Sequence, residues 1–164
     1  MTQVYKLKII AVGKMKEKYC LTGISEYKKR LSPYAQVDAL EVNDEGGASL
    51  NMHASLIAEI LAREGEGIRK RIAPGEYVIA LDRKGRAMTS EGFAQKLARL
   101  GEQGNPRITF LIGGSMGLDP RLLQDAHFTL SFSTLTFPHQ LFRLLLLEQI
   151  YRAFTIMRGH PYHK

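Results

Sequence analysis

The sequence predicts an α/β fold: a mainly parallel sheet with helices on both faces, built as one domain over 1–164. Three observations predict it. Apolar runs of strand length alternate along the chain with segments of helical period. Two of those runs, YVIALD (77–82) and RITFLI (107–112), are continuously apolar, as strands covered on both faces are. No internal repeat or composition break divides the 164 residues, a length ordinary for one domain.

Taken in order, KLKIIAV (6–12) reads as a strand ended by Gly13. Cys20, Ile24, Tyr27 and Leu31 share one face of a helix that stops before Pro33. YAQVDALEV (34–42) reads as a second strand and NDEGGASLN (43–51) as a loop. Leu56, Ile57, Ile60 and Leu61 mark a helix expected to fade through Gly65 and Gly67. After the Pro74-Gly75 turn comes strand 77–82, then a basic loop, RKGRAM. Ser90 is the expected cap of a helix carrying Phe93, Leu97 and Leu100, and GEQGNP (101–106) the turn after it. Strand 107–112 runs directly into Gly113-Gly114. Asp119-Pro120 has the form of an N-cap followed by proline at the first helical position. HFTLSFS (127–133) alternates like a strand. From Pro138 to about Met157 the chain is apolar on nearly every side, so this helix is expected to face both its own sheet and a second subunit.

Composition narrows the function. With 45% hydrophobic and 24% charged residues, the chain is not disordered, collagen-like or a coiled-coil rod. Lys plus Arg number 23 against 16 Asp plus Glu, a formal charge of +7. That excess favours a polyanionic partner, nucleic acid ahead of acidic lipid. The single Cys20 excludes an internal disulfide and suits a reducing compartment. The N-terminal apolar run is too short for a signal sequence, and no stretch approaches 18 uninterrupted apolar residues, so the expected protein is cytoplasmic and makes no membrane contact.

Three segments carry chemistry. LIGGSMGLDP (111–120) empties a buried strand into Gly113-Gly114-x-x-Gly117, at the carboxyl edge where α/β sheets bind ligands. The same glycines also suit a plain strand-to-helix turn. They form neither a Walker A loop nor GxGxxG. SFSTLTFPHQ (131–140) interleaves hydroxyls with apolar side chains, a composition that suits an adenine pocket and equally a strand leading into a helix start. RGHPYHK (158–164) crowds cations and aromatics that contact phosphates and stack on bases, unless it is only a solvated tail. His160 and His163 make a poor zinc pair without a cysteine nearby, and no metal is expected. Asp82, at the end of a strand, faces a ligand or satisfies loop amides. Arg143 and Glu148, on an apolar helix, belong to a cleft or to ion pairs. His53 and His127 read as structural.

The LD ending of strand 77–82, the LIGGSMGLDP loop, SFSTLTFPHQLFR and the terminal YRAFTIMRGHPYHK occur in an order that resembles the RlmH family. These are SPOUT-class methyltransferases acting on N3 of a pseudouridine in large-subunit ribosomal RNA. The resemblance implies S-adenosyl-L-methionine as cofactor, a homodimer, and a C-terminal chain threaded into a trefoil knot. By motif matching it implies cofactor contacts from Leu81, Gly114, Ser133, Thr134, Leu135, Thr136, Phe137 and Pro138. It carries over Arg143 and His163 as catalytic groups, and His139, His160, Tyr162 and Lys164 as substrate-binding groups. Two other classes compete with this reading. A non-catalytic RNA- or ribosome-binding module would use the same charge and tail without needing a cofactor loop. A small-molecule enzyme using another nucleotide would leave the positive charge unexplained.

Overall fold

A computed structural model describes residues 4–47 and 53–164. Five strands form one sheet in the order β2-β1-β4-β3-β5, with every pairing parallel. They are β1 (Tyr5–Val12), β2 (Ala35–Val42), β3 (Tyr77–Ala87), β4 (Arg107–Ile112) and β5 (Phe128–Ser131). Between and after them run α1 (Lys18–Leu31), α2 (Ala54–Arg69), α3 (Ser90–Glu102), α4 (Pro120–Asp125) and α5 (His139–Arg158).

Side chains of a strand alternate between faces, and here that alternation builds two cores. Leu7, Ile9 and Ala11 of β1 join Ile108, Phe110 and Ile112 of β4 on the face covered by α1, α3 and α5. Ile10 and Val12 join Val78, Ala80 and Leu111 on the other, where Ile68 of α2 and Leu122 of α4 pack. The buried stretches of the central strands are therefore mostly apolar on both faces, with Thr109 of β4 a buried polar residue. Helix α5 lies between α1 and α3. None of its residues before Arg158 is fully exposed, and Leu141, Leu144 and Leu145 are only half-buried.

Several boundaries differ from expectation. Helix α2 does not fade at its glycines but continues to Arg69. Gly65 lies there under Asp119, whose carboxylate would be 2.8 Å from an added Cβ, so close packing explains the glycine. The expected RKGRAM loop is instead largely strand: β3 runs to Ala87 through a register shift between Leu81 and Arg86, both of which pair with Leu130. Gly85 permits this, since a Cβ there would lie 2.8 Å from the Thr129 carbonyl oxygen. The α3 cap is Thr89, whose hydroxyl accepts from Gly92 N at 2.9 Å, not Ser90. Helix α3 also continues to Glu102, and β5 stops at Ser131. Asp119 caps α4 as expected, accepting from Arg121 N at 3.0 Å. Residues 48–51 of the expected 43–51 loop lie outside the described residues.

Candidate functional site

The carboxyl ends of β3, β4 and β5 open into a cavity of about 610 Å³. That volume is in the range of small-molecule and cofactor sites, roughly 300–1,000 Å³. Its apolar wall includes Leu81, Ile112, Leu130, Phe132, Phe137 and Phe142, and its polar groups include Asp82, Arg83, Ser133, Thr136 and His139. The mixture fits a ligand that is part aromatic and part polar.

The glycine loop forms one side. Gly117 takes φ +82°, in the region that favours glycine, and its amide donates to the Gly114 carbonyl at 3.0 Å. Gly113 is pressed so closely on Gly117 that a Cβ would come 2.3 Å from its carbonyl. Gly114 lines the cavity, but an added Cβ would point inward, 3.0 Å from Val12 Cγ1 and 3.9 Å from Glu64 Oε2. A side chain at Gly114 therefore displaces the loop instead of directly filling the cavity.

The segment after β5 forms the opposite side. Its hydroxyls fold the turn: Ser131 Oγ donates to the Ser133 carbonyl at 3.3 Å, and Ser133 Oγ accepts from Leu135 N at 3.0 Å. Phe142 of α5 fixes the aromatics, its ring centroid 5.0 Å from Phe132 and 6.3 Å from Phe137. Of the residues expected to hold a cofactor, Leu81, Gly114, Ser133, Leu135, Thr136 and Phe137 line the cavity, whereas Thr134 and Pro138 do not. Pro138 occupies the N-cap position of α5. Leu135 remains 69% exposed.

Arg143 does not line the cavity. It is 6% exposed and donates to Glu41 Oε2 at 2.9 Å, the Val12 carbonyl at 2.8 Å and the Gly13 carbonyl at 2.7 Å. Burial pushes its guanidinium pKa down, against the opposing pull of Glu41. In this arrangement the side chain is a strut between α5 and the ends of β1 and β2, not a cation open to substrate. Glu148 is paired as well, with Arg152 at 2.8 Å.

The tail is ordered, but it does not reach back over its own 133–138 segment. His160 Nδ1 meets Tyr34 OH at 2.5 Å, and Tyr162 OH meets Tyr27 OH at 3.2 Å. After α5 and the left-handed Gly159 the tail turns back only as far as Tyr151 and Arg152, where Tyr162 packs edge-on against the Tyr151 ring at 4.8 Å and His163 is bonded. Burial and the Tyr27 bond push the Tyr162 phenol up to about 12, so it stays neutral. His163 lies between Arg152 Nη1, 3.1 Å from its Nδ1, and Glu91 Oε1, 2.6 Å from its Nε2. A guanidinium only donates, so Nδ1 accepts and Nε2 carries the hydrogen given to Glu91. That bond holds the Glu91 carboxyl below its ordinary value. Lys164 is exposed. His139, at the first turn of α5, is the one expected substrate contact that lines the cavity.

Sequence reasoning missed Ile57, Met116, Arg83 and Phe142 among the lining residues and gave no role to Glu64. Arg83 and Phe142 carried a local signal, a basic run after Asp82 and an aromatic five residues past Phe137. Glu64 carried none. It is 5% exposed behind the glycine loop, accepts from Glu45 N at 3.1 Å, and burial raises its pKa to about 7. His127 is structural, its Nδ1 accepting from Val78 N at 2.9 Å.

Among the described residues no helix is long and apolar enough to cross a membrane, and no cluster of His, Cys, Asp and Glu is placed to hold a metal. A family model described as "Predicted SPOUT methyltransferase" matches residues 5–163. A Carboxydothermus hydrogenoformans protein named Ribosomal RNA large subunit methyltransferase H is 50% identical over 97% of this chain and 99% of its own length. A protein of the same name from Alkaliphilus oremlandii is 52% identical over 95% of this chain and 98% of its own. A solved probable methylase family protein from Haemophilus influenzae Rd KW20 aligns over 93% of this chain and 66% of its own, at 14% identity and a TM-score of 0.48. With the family model and the curated relatives each matching over nearly the whole chain, the chain belongs to the SPOUT methyltransferases and, among them, to the RlmH family.

Proposed function

We propose that the protein transfers a methyl group from S-adenosyl-L-methionine to N3 of a pseudouridine in large-subunit ribosomal RNA. The observation that carries this reading is the cavity at the carboxyl edge, walled by the glycine loop and the 133–137 turn, in a chain of this family. The name of its relatives supports the ribosomal substrate, and the charge of +7 supports a polyanion.

The residues present fit the cofactor. Leu81, Leu130, Phe132 and Phe137 suit an adenine ring; backbone at Gly113 and Gly114 allows close approach; Ser133, Thr136 and Asp82 suit the ribose and the methionyl amine. Bound there, S-adenosyl-L-methionine supplies an electrophilic methyl. The chain's part is to hold the ring nitrogen in line with it and to exclude water, so positioning dominates. The imide N3 of the base must also lose its proton. His139 faces the cavity and would contact the base.

His160, Tyr162 and His163 pack on Tyr34, Tyr151 and Arg152 and do not line their own chain's cavity, so we propose that they and Lys164 serve the cavity of a second copy. The half-buried Leu141, Leu144 and Leu145, with exposed Leu135, support a homodimer through this helix. His163 then handles the proton, with Arg152 exchanging Nδ1 for a phosphate and freeing that nitrogen as a base. Arg143 acts by positioning, through the β1–α1 turn. The trefoil-knotted path, the single domain over 1–164 and a cytoplasmic location belong to the same reading.

Methylation of intact ribosomes, separate large subunits and naked ribosomal RNA, with mapping of the modified base, tests the proposal. Methyl on a pseudouridine N3 is the expected result. Tight RNA binding with no affinity for S-adenosyl-L-methionine by calorimetry would overturn it in favour of a binding module.

A further inference from the structure

Basic residues of the described chain lie at both edges of the sheet. In an all-parallel sheet the helices return to the amino edge. Lys28, Lys29 and Arg30, which end α1, and Arg69 and Lys70, which end α2, therefore lie away from the cavity. Part of that charge is also neutralised: Arg30 pairs with Glu26, Arg69 with Asp125 and Lys70 with Glu66. Arg83, Lys84 and Arg86 differ on both counts. They lie in the outer half of β3, past Leu81 and Asp82, and Arg83 itself lines the cavity. All three are exposed, and none forms an ion pair among the described residues.

The segment is also held in shape. Arg86 and Ala87 pair with Leu130 and Ser131, Gly85 lies against the β5 backbone, and Asp82 Oδ2 accepts from Lys84 N at 3.1 Å. Arg83 Nη1 donates to Thr136 Oγ1 at 3.0 Å and so ties this rim to the turn across the cavity. Three unpaired cations on an ordered strand beside a cavity mouth form a preorganised site for successive phosphates, at a smaller entropic cost than a flexible loop would carry.

We infer that Arg83, Lys84 and Arg86 form the docking rim for the sugar-phosphate backbone of the RNA strand whose base enters the cavity. The inference rests on the proposed RNA methyltransferase activity. Lys84 and Arg86 set affinity for the strand, while Arg83 joins the strand to the cofactor side.

The test is the double variant Lys84→Gln/Arg86→Gln, since neither residue lines the cavity, assayed on intact ribosomes over a range of salt. S-adenosyl-L-methionine affinity and kcat at saturating ribosome should stay within about twofold of wild type, while the half-saturating ribosome concentration rises at least about tenfold at moderate salt. The salt slope should fall by roughly 0.7 for each phosphate no longer neutralised, about 1.4 for two. Arg69→Gln/Lys70→Gln, at the amino edge, should change neither quantity. Wild-type half-saturation and salt slope in the double variant would overturn the rim, as would an equal effect of the amino-edge pair. A wild-type protein that methylates no ribosomal RNA would overturn the parent reading, and the rim with it.

Discussion

Arg143 Nη2 donates to the carbonyl oxygen of Gly13 at 2.7 Å, across 130 residues of chain. The same nitrogen reaches Val12 O at 2.8 Å, so one buried guanidinium closes the end of β1, while its other amino group holds Glu41 at 2.9 Å. The turn that follows is tied to α5 a second time, because Gln140 Oε1 accepts from the amides of Lys16 and Glu17, each at 2.8 Å.

Removing that guanidinium takes a donor from two carbonyls and from Glu41, whose half-exposed carboxylate keeps the Met15 amide. Arg143→Ala should lower the free energy of unfolding by about 2–3 kcal/mol, the scale for charged hydrogen bonds lost to buried acceptors. Glu41→Gln keeps an acceptor at a partly solvated position and should cost about 1 kcal/mol or less. Urea titration with paired kinetics checks this. An Arg143→Ala protein of wild-type stability with lost turnover would return Arg143 to direct catalysis.

Gly114→Val should abolish S-adenosyl-L-methionine binding while the protein stays folded, and the smaller Gly114→Ala should weaken it at least about tenfold, roughly 1.4 kcal/mol. The cause is contact with Val12 Cγ1, 3.0 Å from the added Cβ, which shifts the loop. Val12→Ala makes room, so Val12→Ala/Gly114→Ala should regain most of the lost affinity in a double-mutant cycle by calorimetry. Strictly additive losses would show that the loop does not move for this reason.

Deleting residues 160–164 should leave cofactor affinity nearly intact and slow methyl transfer at least about tenfold. His163→Ala should act mainly on turnover and Lys164→Ala on ribosome affinity and its salt dependence. If the tail serves the other copy, co-expressing the deletion with Gly114→Val restores one complete site in each mixed dimer. About a quarter of the wild-type rate should return, as half of randomly assorted dimers are mixed. No recovery in verified mixed dimers would assign the tail to its own chain's cavity or to none.

Glu64 gives stability a definite pH dependence. Its carboxyl is raised from an ordinary 4.5 to about 7 in the folded chain. Between those values the folded state holds a proton that the unfolded state has released, so stability falls as pH rises through this window and is flat above it. Glu64→Gln keeps the acceptor for Glu45 N without the charge. It should therefore raise stability above pH 7 by on the order of 2 kcal/mol and change little below pH 4.5. Thermal melts at pH 4 and pH 8 read the difference; equal shifts at both values would remove Glu64 as the cause.

Local pattern determined much of this protein. The apolar runs at 77–82 and 107–112 fixed strands that need cover on both faces, and Asp119-Pro120 fixed a helix start, because burial period and capping chemistry are written in neighbouring residues. The glycine loop and the 131–138 segment were legible for the same reason, and Leu81, Gly114, Ser133 and Phe137 do share one cavity. Tertiary structure decided what depends on partners distant in sequence. Gly85 reads as part of a basic loop until β5 lies against it and β3 continues past it. Arg143 reads as belonging to a cleft or to an ion pair until α5 delivers it to Val12, Gly13 and Glu41, where both terminal nitrogens are bonded while the buried Nε has no partner among the described residues. The tail's place was set by its partners Tyr34, Tyr151, Arg152 and Glu91, and the raised carboxyl of Glu64 by burial behind a glycine loop far along the chain. Sequence specifies which groups are available; only packing decides which of them water can still reach.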